Sequence, residues 1–296
     1  MTFRNGRIEG HGLVAYANGD RFDGEFRDGH RTGRGSIVWA DGGQYDGDFV
    51  DGRITGRGVQ VAPNGLRYEG EFRDGRMHGV GTLSWPSGTR YEGEFADGRR
   101  TGRGVMAWAN GERYEGAFVD DVRSGHGIMQ WANGDRYEGA FVDDRIVGEG
   151  VFVTAGGDRY TGAFVDSRFE GRGVLVRANG DRYEGEFAGG QFQGHGVLAR
   201  AGGWRYEGTF EAGLIDGQGA LDFGNGDRYE GEFVDGALAG QGTFIFANGD
   251  RYEGQFEINM AHGRGNYRPA NGRVCGGQWW RGRNVNCRFR VGVETI

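Results

Sequence analysis

The sequence predicts an all-β fold: one elongated, twisted antiparallel sheet built from tandem β-hairpins. Three observations lead there. An aromatic residue recurs at a constant step of 23, at Phe22, Tyr45, Tyr68, Tyr91 and onward to Tyr252, with the next step landing on Cys275. Four glycine rows, represented by Gly10, Gly12, Gly19 and Gly24, run through all twelve copies of this period. No window carries a helical hydrophobic period free of glycine, which disfavours helix interiors. Two strands for each copy give roughly 24 strands in all.

Each element of the copy has a physical cause. Asn18-Gly19 and its equivalents, such as Asn133-Gly134 and Asn248-Gly249, form a strong hairpin signal because glycine accepts positive φ. The next residues alternate: in Arg67 to Phe72, Tyr-Gly-Phe falls on one face and Arg-Glu-Glu on the other, the pattern of a half-buried strand. A polar loop, RDGRMHG, then leads to a second strand at Gly81-Thr82-Leu83-Ser84-Trp85. Loop parity fixes the faces. A three-residue turn with a glycine bulge puts Leu83 and Trp85 on the side of Tyr91, Gly93 and Phe95, whereas a two-residue turn would set Leu83 beside Glu92. The odd loop is expected because it gathers the large apolar groups, with bare glycines admitting the rings of the neighbouring copy.

Composition narrows the function classes. Glycine supplies 64 of 296 residues, charged residues 26% and aromatics 13%. That aromatic content is too high for a disordered chain. A net charge of −7 argues against nucleic acid, which needs clustered cations. Every basic residue is Arg. No run of 18 apolar residues and no apolar segment in MTFRNGRIEG occurs, so the expectation is an intracellular protein, not secreted, without a membrane-spanning helix.

The unit YEGEFRDGRMHGVG, at Tyr68 to Gly81, resembles the MORN repeat (membrane occupation and recognition nexus). The resemblance covers nearly the whole chain in about twelve copies, and implies a rod of hairpins used as a scaffold, targeting module or partner-binding segment, without catalysis. The expected organisation is a repeat array over residues 1–273, with Phe3 in a leading half-repeat, and a degenerate last repeat and cap over 274–296. In the last copy Cys275 replaces Tyr, Trp279 replaces Phe, and NVNCRFRV lacks the Gly-x-Gly pair. A terminal cap is what repeat arrays require.

No catalytic residue, metal site or cofactor is expected. The Asp row after the Asn-Gly turns (Asp20, Asp135, Asp181, Asp227) lacks the nine-residue spacing of calcium-binding β-rolls. Arg67 and its equivalents beside the Glu69 row read as a solvated charge ladder, with phosphoinositide binding the alternative. The six histidines are placed in or near polar loops. Cys275 and Cys287 fall about four residues out of line in the repeat's register, roughly 13 Å, so a disulfide is not expected unless the cap leaves that register. The main functional lead is a partner-binding groove at Trp39, Trp85, Trp108 and Trp131 with Tyr91, Tyr114 and Tyr137. A neighbouring acidic ladder, Asp120, Asp121, Asp143, Asp144 and Asp166, points to a basic helix or peptide. Self-association through a terminal edge is assigned to Trp279 and Trp280, giving a homodimer. A phospholipid-binding tether is the rival.

Overall fold

The computed structural model describes residues 2–293, so the last three residues of the expected cap lie outside it. The described residues hold twenty-seven strands and no helix, and twenty-five of the strands belong to the hairpin array. Contacts divide the chain into two compact units between Arg145 and Ile146, although the sequence reads as one domain. Each hairpin touches chiefly its neighbours, so contacts in a repeat array group locally.

Within the unit ending at Arg145, each repeat is a seven-residue strand followed by a nine-residue strand, as in Arg67–Arg73 and Arg76–Ser84. The unit beginning at Ile146 repeats the pattern, as in Arg205–Glu211 and Leu214–Asp222. Pairing is antiparallel between chain neighbours: Tyr68 faces Leu83, and Leu83 faces Tyr91 on its other side.

The connection after the nine-residue strand has the expected odd geometry. Trp85 N–H donates to Thr89 O at 2.9 Å while Gly88 N–H donates to Trp85 O at 2.9 Å, with Gly88 at φ +91°. This is a three-residue turn closed by a glycine bulge. The tryptophans are therefore turn-closing corners; the strand ends one residue earlier, at Ser84.

The other connection differs from expectation. RDGRMHG is not a long loop: Arg73 pairs with Arg76 across Asp74-Gly75, whose φ values of +48° and +79° make a two-residue type I′ turn. The strand resumes at once, and the irregularity falls inside it. The register jumps from Glu71↔His78 to Gly70↔Gly81, leaving Gly79 (φ +59°) and Val80 as a bulge. Histidines placed in or near loops by the sequence lie in strands: His11, His30, His78, His126, His195 and His262.

Candidate partner-binding face

The core of each unit is its ring-bearing face. Tyr68 meets Phe72 of its own copy at 5.0 Å and Phe95 of the next at 5.0 Å, both edge-to-face. Tyr91 repeats this with Phe95 and Phe118 at 5.1 Å. In the second unit Tyr206 does so with Phe210 and Phe233. Edge-to-face pairs are favourable beyond their burial, and phenylalanines such as Phe95 and Phe118 are shared by two copies.

The ring covering the glycines belongs to the same copy, not to the neighbour as the sequence suggested. A Cβ on Gly81 would stand 2.4 Å from the Tyr68 oxygen, and one on Gly70 would stand 2.6 Å from Gly81 Cα. Tyr68 therefore lies along its own hairpin, and its hydroxyl donates to Glu71 O at 2.9 Å. Burial raises the pKa of Tyr45, Tyr68, Tyr91 and Tyr114 to about 12.

A further row completes the face and was hidden in the supposed loop: Arg31, Ile54, Met77, Arg100, Arg123, Ile146, Phe169, Phe192, Ile215, Leu238 and Ala261. Phe169 stacks on Tyr160 at 3.8 Å and Phe192 on Tyr183 at 3.7 Å. Arg100 sits 5.7 Å over Tyr91, and Arg123 sits 5.6 Å over Tyr114, within cation–π range. The 23-residue spacing could have revealed this row, but the glycines flanking it read as loop.

That row explains the acidic ladder. Asp121 accepts from Arg100 Nε at 2.9 Å and from Arg100 N–H at 3.0 Å. Asp144 does the same for Arg123 at 2.7 Å and 3.0 Å. Asp120 pairs with Arg99 at 3.3 Å. Three of the five ladder carboxylates, Asp120, Asp121 and Asp144, thus already have internal cations. Burial pushes the Asp144 pKa upward, but hydrogen bonds from the Arg123 side chain and backbone outweigh it and hold the carboxyl below its usual range. Asp120, Asp121, Asp143, Asp144 and Asp166 all have positive φ, between +46° and +74°. Their positions mark turns, where Asp tolerates left-handed backbone.

The Asp row after the Asn-Gly turns is also structural. Asp20 accepts Ala40 N–H at 2.9 Å, Asp181 accepts Ala201 N–H at 3.0 Å and Asp227 accepts Ala247 N–H at 2.8 Å. Each aspartate fastens its turn to the next. Among the described residues no group of three or more His, Cys, Asp and Glu is placed to hold a metal. On the opposite face the expected charge ladder forms: Arg67–Glu69 at 2.7 Å, Arg113–Glu115 at 2.7 Å and Arg205–Glu207 at 2.7 Å.

The predicted groove residues separate into two sets. Tyr91, Tyr114 and Tyr137 are buried to 0% exposure and belong to the core, out of reach of a partner. Trp39, Trp85, Trp108 and Trp131 are half-buried and stand at the turn corners. At Trp39 a recess of about 340 Å³ opens, lined by Arg31, Ile37, Ile54 and Arg53; the next copy has Ala62 in the tryptophan position. In the second unit the same position carries Thr154, Arg177 and Arg200, then Phe223 and Phe246, which pack with Phe244 at 5.5 and 4.7 Å. This second aromatic cluster escaped the sequence reading.

The terminal site is altered as well. Trp279 is 2% exposed, packed on Tyr252 at 5.0 Å, with its indole N–H donating to Gly265 O at 3.0 Å. It fills the phenylalanine row and is unavailable to a partner; Trp280, 66% exposed, is available. Cys275 and Cys287 form a disulfide with Cα atoms 5.9 Å apart, against expectation. The cap leaves the repeat register: Cys287–Arg290 pairs with Arg283–Asn284 instead of with Cys275–Trp279.

With this geometry in place, comparison with known proteins gives a direct result. The MORN repeat profile matches twelve consecutive segments, from residues 2–21 and 22–44 through 229–251 and 252–272. The chain belongs to the MORN repeat family. Comparison with curated proteins gives no match. Among solved structures, this MORN chain is similar to the TCP domain of SAS-4 (dCPAP) of Drosophila melanogaster in complex with a proline-rich motif of Ana2, at 13% identity. That likeness covers 58% of this chain and 86% of that one, with a TM-score of 0.34. It is also similar to the TCP10 domain of Danio rerio CPAP in complex with a STIL peptide, at 10% identity over 90% and 93% of the two chains, TM-score 0.18. Virginiamycin B lyase of Staphylococcus aureus gives 9% identity over 88% and 91%, TM-score 0.15. Superpositions this loose carry no argument about function.

Proposed function

We propose that this MORN array is a non-catalytic scaffold or spacer that presents a repetitive surface to protein partners and self-associates. The observation carrying this reading is the row of half-buried Trp39, Trp85, Trp108 and Trp131 on the rim of an otherwise sealed aromatic face. Tryptophans held at rigid corners, with apolar bodies partly in water, are the groups that dominate protein interfaces. The recess beside Trp39 is of a size to take an apolar side chain of an extended or helical segment. Because Asp121 and Asp144 are paired internally, recognition is assigned to these apolar anchors, not to charge.

The lipid-tether reading has less support. The arginines of the outer ladder are already matched to glutamates, leaving that row little free charge for an anionic headgroup. The working site we propose is intracellular, peripheral to a membrane or cytoskeletal structure. In a compartment that keeps thiols reduced, the Cys275–Cys287 bond would be open.

Affinity capture from the native host, with cross-linking and mass spectrometry to identify partners, tests the reading. The full chain carrying Trp108→Ala with Trp131→Ala should keep its circular dichroism and lose the partners that the unaltered chain captures. Partners retained at equal yield by the doubly substituted chain would refute the assignment.

A further inference from the structure

The array ends in a way that no internal copy does. Strand Arg228–Val234 is bonded on both flanks, to Leu214–Asp222 and to Ala237–Ile245. Its counterpart Cys275–Trp279 has one ladder partner among the described residues, Met260–Arg268. The outer flank is masked by the cap. Asn284, itself buried, donates from Nδ2 to Gln278 O at 2.7 Å. The cap hairpin has strands of only two and four residues, too short to persist unaided. It is held by the Cys275–Cys287 disulfide, by bonds at its base, where Trp280 N–H donates to Arg283 O at 2.8 Å and Val291 N–H to Gly282 O at 2.9 Å, and by a returning segment in which Ala261 N–H donates to Val291 O at 3.1 Å and Val293 N–H to Asn259 O at 3.0 Å. The returning segment lies against Asn259–Ala261, away from the outer flank. Among the described residues, the disulfide and Asn284 are the cap's contacts with Cys275–Trp279 itself.

We propose that the Cys275–Cys287 disulfide is a redox latch over this terminal edge: closed, it masks the outer flank of Cys275–Trp279; reduced, it frees that flank to pair with the same strand of a second copy. A dithiol reductant opens it by two exchange steps. The S–S bond breaks, Cys275 and Cys287 each end as a thiol, and the reductant leaves as its own cyclic disulfide, so two electrons and two protons are transferred. An unpaired strand edge is a template for another strand. Two identical edges meet antiparallel about a two-fold axis, which closes the assembly at a dimer. Trp280 at 66% exposure and Val285 at 99% provide apolar surface beside the edge. The dimer rests on the self-association included in the proposed function, while the latch itself does not, and the two have separate readouts.

The experiment uses the full chain, oxidised or reduced with excess dithiothreitol, together with Cys287→Ser as a permanently open form and circular dichroism to verify folding. Amide hydrogen exchange on dilute protein reads the latch. Reduction should accelerate exchange in 275–279 by about tenfold or more with the repeats unchanged, as expected for a local opening; equal protection in both states overturns the latch. Sedimentation velocity at micromolar concentration reads the occupant. The reduced chain and Cys287→Ser should form a dimer that Trp280→Asp abolishes, and the oxidised chain should remain monomeric. Faster exchange with no dimer would refute the second copy as occupant, and a dimer in both redox states would refute redox control.

Discussion

Tyr68 is confined on every side: Gly70 and Gly81 beneath it, Phe72 and Phe95 at its edges, and the Glu71 carbonyl at its tip. An alanine at Gly81 has no room, since its Cβ would fall 2.4 Å from the Tyr68 oxygen. Gly81→Ala should therefore destabilise the chain by about 1–3 kcal/mol, the usual cost of overpacking, seen as a lower urea midpoint. Tyr68→Phe removes only the hydroxyl bond and should cost about 0.5–1.5 kcal/mol; Phe22 already stands at this position in the first copy. The same confinement gives an alkaline prediction. With the folded pKa of Tyr45, Tyr68, Tyr91 and Tyr114 at about 12 against the ordinary tyrosine value of 10.0, the folded state binds these protons more tightly than the unfolded chain. That contribution to stability is complete below pH 10 and declines as pH rises toward 12. Phenolate absorbance should lag behind that of the urea-unfolded chain over this window, and coincident titration curves would contradict it.

At the scale of the hairpin, the bulged second strand and its bracing carboxylates decide the geometry. Asp144 bonds both the backbone N–H and the guanidinium of Arg123, which lies over Tyr114 and Phe141. With nearly half of the Asp144 side chain exposed, solvent screening reduces the value of the pair. Asp144→Ala should cost about 1 kcal/mol. Because its folded pKa is depressed, the Asp144 contribution is present above the ordinary carboxylate range and lost as pH falls through the folded value. The difference between native and Asp144→Ala midpoints should shrink in acid. The seven-residue strand and glycine-bulge turn were legible because alternation and Asn-Gly chemistry are local. The row from Arg31 to Ala261 was not. Its residues vary from arginine to phenylalanine, so no composition signal marks them, and Asp-Gly ahead with Gly-x-Gly behind looks like loop until the two-residue turn is known.

Taken as a whole, each unit is a chain of near-identical interfaces, and stability in such arrays is close to a sum of repeat and neighbour terms. Excision of residues 206–228, one period, should leave a folded β protein whose urea m-value falls in proportion to the surface lost. Excision of half that length would shift register and place rings against the charged face, and should abolish cooperative unfolding. The repeat architecture was legible across the chain because the 23-residue step never slips. The cap was not, since the inference about Cys275 and Cys287 assumed that the last hairpin kept a register which the missing Gly-x-Gly pair had already abandoned. The sharing of row phenylalanines such as Phe95 and Phe210 between successive tyrosines has a genealogical outcome. When unequal recombination duplicates one period of the gene, the newborn copy arrives with both of its contact surfaces prefitted, so lineages can lengthen or shorten this protein in whole steps without ever passing through a misfolded ancestor.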